Sequence, residues 1–264
     1  NPPRADAGVS QARQLAIAHP MGGVAKTPTA LAPAGALALA GRRVLVMDLD
    51  PHGCASAHLG VFPEGLAASA ADLFLAGEAG QAPWDKVIRQ PGSGLFDLAP
   101  SCPRLADLDL DLKDRKGKGI VLRQALESGP DYDHVLLDCP PHTGVVLVNA
   151  LVAADLLIIP IQTDFLALHG VRHLFDTMRA LNRVLPRPIA YRALATMFDR
   201  RAKACLRVLA LLRDKFGERM FQTVIGLDTK FREASAAGKV VQELAPDCRG
   251  AGEYARLAEE VAAL

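Results

Sequence analysis

The strongest constraint on this chain is a short apolar run that ends on glycines and passes straight into a stretch rich in alanine and leucine. Leu15-Ala-Ile-Ala18 reads as a buried strand that stops at His19-Pro20 and is followed by Gly22-Gly-Val-Ala-Lys-Thr27. Thr27 to Ala40 then reads as a helix closed by Gly41, and Arg43-Val-Leu-Val-Met47 as a second strand. Strand, helix and strand in this order form a βαβ unit. Its first turn sits where backbone N–H groups at a helix N-terminus can cradle phosphates. The segment departs from the ordinary G-x-x-x-x-G-K-[ST] pattern, because Pro20, Met21 and Ala25 replace parts of it. Taken alone, it also reads as a plain strand-to-helix turn.

The alternation continues down the chain. His134–Asp138, Leu156–Ile159 and Ala190–Thr196 are short apolar or β-branched runs, separated by helical stretches at Val145–Val152, Leu168–Leu185 and Ala202–Phe216. This pattern predicts a single α/β domain, a mostly parallel twisted sheet with helices on both faces, over residues 13–264. A flexible polar tail is expected over 1–12. Residues 103–119, dense in Asp, Lys and Arg, are expected to be a solvated helix and loop, and Glu253–Leu264 a helix.

Two more motifs bear on the first turn. Asp48-Leu-Asp-Pro-His-Gly53 places two carboxylates two apart at the end of the second strand, a spacing that puts both on one face beside the glycine loop. Carboxylates there can hold Mg²⁺-bound water or orient a nucleophile. Asp138-Cys-Pro-Pro141 ends another strand with an acidic residue, where nucleotide hydrolases bind the Mg²⁺ shell. The alternative is that Asp48 and Asp138 merely cap strand ends and start turns. Three such motifs in this order favour the nucleotide reading.

Composition narrows the class further. Lys and Arg number 30 against 29 Asp and Glu, so a nucleic-acid surface would have to be local. The five cysteines are scattered without a CxxC pair, which fits reduced thiols in a cytosol. No apolar run reaches the roughly 18 residues of a membrane span, and the first dozen residues lack the apolar core of a signal peptide. A cytoplasmic protein is expected.

The three motifs together resemble the deviant Walker A ATPases, and within them the ParA/Soj group. The resemblance runs nearly end to end, through Ile161–Gly170, Thr196-Met-Phe-Asp-Arg200 and Phe231–Gly238 as well. It implies that Gly22, Gly23, Val24, Ala25, Lys26, Thr27 and Pro28 hold ATP or ADP, with Lys26 on the β and γ phosphates. It also implies that Thr27 ligates Mg²⁺, that Asp50 positions the attacking water and contributes to the metal site, and that Asp138 supports Mg²⁺ through water. Asp228 would meet the adenine amino group. The group forms an ATP-dependent homodimer, binds nonspecific DNA, is nucleoid-associated, and hydrolyses ATP slowly until a ParB-like or other adaptor protein stimulates it. The cargo is a chromosome, a plasmid or a protein assembly. Candidate DNA contacts are Arg200, Arg201, Lys203 and Arg207, with Lys230, Arg232 and Lys239 on a later segment. The alternative for these is a solvated helix face. The C-terminal helix lacks the basic face and bulky aromatics of a membrane-binding one, so no membrane target is expected.

Departures from the group's pattern are local. Met21 stands where the group carries a signature lysine, and a thioether has neither charge nor strong donor. Lys113, Arg115, Lys116 and Lys118 are the candidate substitutes. Pro28 falls in a first helical turn, where a missing N–H costs little, whereas Pro33 falls mid-helix and is expected to cost about 3 kcal/mol or kink it. Ala25 replaces a glycine and fits if its φ is negative. Gly226 and Asp228 replace Pro and Asn. These changes leave open a degenerate nucleotide-binding scaffold of the same fold with little or no ATPase activity.

Overall fold

The computed structural model describes residues 12–76, 82–92 and 94–264; the expected tail lies outside the described residues except for Ala12. In chain order the elements are β1 (Arg13–Ile17), α1 (Lys26–Leu39), β2 (Val44–Asp48), α2 (Cys54–His58), α3 (Ala70–Leu75), α4 (Trp84–Val87), β3 (Asp97–Ala99), α5 (Leu108–Asp111), α6 (Val121–Glu127) and β4 (His134–Asp138). They continue with α7 (Val145–Ala153), β5 (Leu156–Gln162), α8 (Phe165–Asn182), β6 (Tyr191–Phe198), α9 (Lys203–Phe216), β7 (Met220–Gly226), α10 (Lys230–Ala236), α11 (Val241–Leu244) and α12 (Arg249–Ala262). The seven strands form one sheet in the order β3-β2-β4-β1-β5-β6-β7, and every pairing is parallel.

The unbroken apolar character of the strands follows from burial on both faces. Alternate residues feed two cores. Leu45, Met47, Val135, Leu137, Leu157 and Ile159 meet α3, α6, α7, α8 and α9, while Val44, Val46, Leu136, Leu156 and Ile158 meet α1, α11 and α12. Because all strands run the same way, every strand's carboxyl end, and so every loop that could carry chemistry, opens on one edge.

Several expected boundaries move for identifiable reasons. Helix α8 starts at Phe165 rather than Leu168 because the Asp164 carboxylate accepts the Leu166 N–H at 2.8 Å and caps the helix there. Helix α12 starts at Arg249 rather than Glu253, since Cys248 Sγ accepts the Ala251 N–H and Asp228 the Gly250 N–H. Strand β3 has only three residues, and β7 follows α9 through a single 3₁₀ turn, Gly217–Arg219; sequence periodicity reveals neither. The charged segment 103–119 is not wholly solvated: Leu105, Leu108 and Leu112 are buried, and Asp109 accepts the Val145 N–H at 2.9 Å at the start of α7. Helix α1 runs unbroken through the buried Pro33.

Candidate nucleotide and cation site

The turn after β1 forms an open cradle. Gly23 (φ 76°) and Ala25 (φ 68°) are both left-handed and Val24 between them is not, an alternation that turns successive N–H groups toward a common point. A Cβ built on Gly22 or Gly23 would meet nothing within 4 Å, so space for an anion lies above the loop. The condition under which Ala25 fits in place of a glycine, a negative φ, is not met. The residue is held in a conformation that costs an L-amino acid about 1–2 kcal/mol, and its carbonyl receives Thr29 N–H at 3.0 Å in the first turn of α1. Two distant anchors fix the loop. Thr196 Oγ1 at the end of β6 donates to Val24 O at 3.0 Å, and the Thr29 hydroxyl bonds Tyr254 OH of α12 at 2.9 Å. Met197, next to Thr196, is also left-handed at φ 52°.

Lys26 folds back over the cradle, its Nζ donating to Met21 O at 2.9 Å. Burial lowers its pKa, opposed by the nearby carboxylates of Asp138 and Asp50. His19 closes the start of the loop. It is buried, burial and the Lys26 charge push it down to about 4, and its neutral Nδ1 accepts the Met21 N–H at 3.0 Å.

The acidic residues divide by role. Asp48 and Asp138 lie in register at the ends of the paired strands β2 and β4. Asp48 turns inward, accepting Ser56 N–H and Ser56 Oγ–H at 2.7 Å each and Asp50 N–H at 3.3 Å. The expected two-carboxylate face is thus not formed: β2 ends at Asp48, so strand alternation does not extend to Asp50. Asp50 is instead partly open, with its Oδ1 bonded to the His52 backbone N–H at 3.0 Å and to His52 Nδ1 at 2.9 Å. Asp138 accepts the Thr27 hydroxyl at 2.7 Å, joining the first turn of α1 to the end of β4. Burial raises the pKa of both Asp48 and Asp138, and for Asp138 the Asp48 charge raises it further, against the Thr27 bond and the Lys26 charge. Two adjacent buried carboxylates, of which only Asp138 feels the Lys26 charge, are short of positive charge.

Among the described residues no cluster of three or more His, Cys, Asp or Glu side chains could hold an ion unaided. The donor set suits Mg²⁺, which takes one or two protein oxygens and completes its shell with water and phosphate. Pro28 lies in the first turn of α1, as expected.

Other candidates fall elsewhere. Arg115 donates to Phe74 O and Ala76 O at the end of α3, and Lys118 to Lys113 O. The Met21 side chain packs on α8, where a Cβ on Gly170 would come within 2.7 Å of its sulfur. Each Asp228 oxygen already accepts one backbone N–H at 3.0 Å, from Lys230 and from Gly250; these bonds outweigh burial and hold the carboxyl below its usual range. Of the basic candidates, Arg201 is paired with Asp199 and Lys230 with Glu233, whereas Arg200, Lys203, Arg207 and Arg232 are exposed and make no ion pair among the described residues. Both groups share the carboxyl edge, as the Leu227 N–H bond to Phe198 O at 3.1 Å shows.

Comparison with known proteins gives the family. A family model described as an AAA domain matches residues 12–190. The chromosome-partitioning ATPase Soj of Thermus thermophilus is 39% identical over 255 residues, covering 96% of this chain and 97% of Soj. The chain belongs to the ParA/Soj family. The ParA/Soj protein of Caulobacter vibrioides, a chromosome partitioning protein, is 36% identical over 255 residues, 94% of this chain and 93% of its own. Among solved structures, a Mycobacterium smegmatis cobyrinic acid a,c-diamide synthase with bound ADP and magnesium superposes with TM-score 0.77 at 30% identity, covering 95% of this ParA/Soj chain and 94% of the synthase. In the ParA/Soj chain described here, the residues that sequence reasoning missed are Ser56, Thr196 and Tyr254. All three act on the loop or its carboxylates through the fold, at separations of 8, 172 and 225 residues.

Proposed function

We propose that residues 13–264 form a Mg·ATP-driven dimeric switch that binds nonspecific DNA and positions or segregates a chromosome, plasmid or protein cargo, with slow hydrolysis stimulated by a ParB-like or other adaptor. The observation that carries this reading is the 2.7 Å Thr27–Asp138 bond beside Lys26, at the mouth of a cradle with two left-handed residues. A P-loop hydroxyl next to a strand-end carboxylate is the pairing that Mg²⁺ and nucleotide phosphates call for. In this reading Gly22 to Pro28 hold the phosphates, Lys26 pairs with them, Thr27 with Asp50 and Asp138 serves the metal, and Asp50 orients water. Bound Mg²⁺ would neutralise phosphate charge and offset the carboxylate excess. A cytoplasmic, nucleoid-associated place, without a membrane, follows from the same reading.

Met21 takes the position of the signature lysine in this account and offers no charge, which makes turnover by the isolated chain slow. One observation favours the second reading, a nucleotide-binding scaffold with little turnover: the Met21 sulfur is engaged with α8, and Arg115 and Lys118 are engaged elsewhere.

The DNA surface would be the unpaired basic residues Arg200, Lys203, Arg207 and Arg232, with Arg201 and Lys230 released from their carboxylate partners on binding. Fluorescence anisotropy with a mixed-sequence duplex tests it. Binding is expected with Mg·ATP and not with ADP, and should weaken steeply as salt rises. A Lys203→Glu, Arg207→Glu double variant should bind about tenfold or more weakly and show a salt slope reduced by roughly two. Binding that ignores both nucleotide and salt would contradict the proposed switch.

A further inference from the structure

We propose that Arg249 forms one wall of the base pocket, stacking its guanidinium plane on the base of the bound nucleotide. This rests on the nucleotide reading above and extends it to a residue outside every motif discussed so far.

The direction in which a nucleotide would lie comes from the sheet order. The carboxylates stand at the ends of β4 and β2, on one side of the loop after β1. The metal-binding phosphate end belongs on that side, so the base extends the other way, across the ends of β6 and β7. The loop already leans that way, since Val24 O is bonded to Thr196 at the end of β6. The end of β7 lies one strand spacing, about 4.8 Å, further on, which is within the reach of a nucleoside.

Arg249 stands at that place. A Cβ on Gly226 would lie 2.9 Å from Arg249 Cζ, 2.9 Å from Nη2 and 3.1 Å from Nε. Such near-equal distances arise only if the guanidinium presents its face, not its edge, to the glycine. The plane is fixed on two edges: it donates to Leu227 O, and Nε lies 3.4 Å from Glu253 Oε1. Glu253 is itself buried, and its other oxygen holds the Gly226 N–H at 2.7 Å. The Arg249 side chain is nevertheless 51% exposed, so about half of its surface stays open to a ligand. A flat, charged, immobilised surface of this kind is suited to an aromatic ring. Asp228, two residues past Gly226, stands beside it with lone pairs to spare on each oxygen. Glycine at 226 is what the arrangement requires, because any side chain there would displace the guanidinium.

The test separates base from phosphate. Calorimetric affinities of Mg·ADP and of Mg·tripolyphosphate, which has no base, are compared for the wild-type chain, Arg249→Ala, Arg249→Lys and Gly226→Ala. Arg249→Lys keeps a charge near Glu253 but has no plane, and Gly226→Ala keeps the arginine but lifts it. All three are expected to bind ADP about tenfold more weakly while tripolyphosphate affinity stays within twofold, and thermal unfolding identifies any variant that is merely misfolded. Unchanged ADP affinity in Arg249→Lys and Gly226→Ala, or ADP and tripolyphosphate falling together, would overturn the assignment. A wild-type chain that binds tripolyphosphate as tightly as ADP would also overturn it and leave the phosphate cradle standing. A wild-type chain that binds neither probe would remove the nucleotide reading itself.

Discussion

Asp48→Ala is expected to lower the unfolding free energy by about 2 kcal/mol, while Asp50→Ala, two residues away, changes it by less than about 1 kcal/mol. Asp48 is wholly buried and is the acceptor for both the backbone N–H and the hydroxyl of Ser56, whose oxygen in turn accepts the Ser101 N–H at 2.9 Å. Alanine would leave those donors without a partner, and hydrogen bonds to a charged group contribute about 1.5–3 kcal/mol each. One term opposes the loss: removing Asp48 relieves its repulsion of Asp138, which keeps the net cost near the lower end. Asp50, by contrast, bonds only the exposed His52 through its side chain. Urea unfolding of the two variants gives the comparison directly. Equal stability losses would mean that the division between a structural and a chemical aspartate is mistaken.

Lys26→Ala is expected to weaken Mg·ADP binding by about 100-fold or more, without comparable loss of fold stability. Among the described residues Nζ has one hydrogen-bond partner, the backbone carbonyl of the half-buried Met21, so its removal leaves one acceptor to be satisfied. For a phosphate no replacement is at hand: losing one partner of a buried charge pair typically costs 2–5 kcal/mol, and among the described residues Lys26 is the cation that acts on both Asp138 and Asp50. Lys26→Arg should not restore binding, since the longer planar head cannot take the same point-charge position. Calorimetry with Mg·ADP measures it; affinity within threefold of wild type would place the phosphates elsewhere.

Legibility in the sequence followed the range of the interaction. That Lys26 and Thr27 open a helix beside the strand-end carboxylate of Asp138 could be read because each belongs to a local motif that follows a strand, and the parallel sheet could be read from alternating apolar runs. The conformation of Ala25 could not, because it is imposed by a loop tied down from β6 and α12, at Thr196 and Tyr254. The inward turn of Asp48 depends on Ser56 and Ser101 meeting beneath β2. Asp228 reads as a free acceptor, yet its carboxylate caps two chain segments 20 residues apart, at Lys230 and Gly250. Lys230 and Arg201 read as free cations until the fold supplies Glu233 and Asp199 as partners. Arg249 has no motif at all; only the strand end it covers makes it visible.

The most direct measurement is steady-state phosphate release with Mg·ATP, with and without nonspecific duplex DNA, for the wild-type chain beside Asp50→Ala, with ATP binding checked separately. Slow release by the wild type, raised by DNA or adaptor and abolished by Asp50→Ala with ATP binding retained, is the predicted result. Tight ATP binding with the same background release in both proteins, even with DNA and adaptor present, would contradict the switch and leave a scaffold.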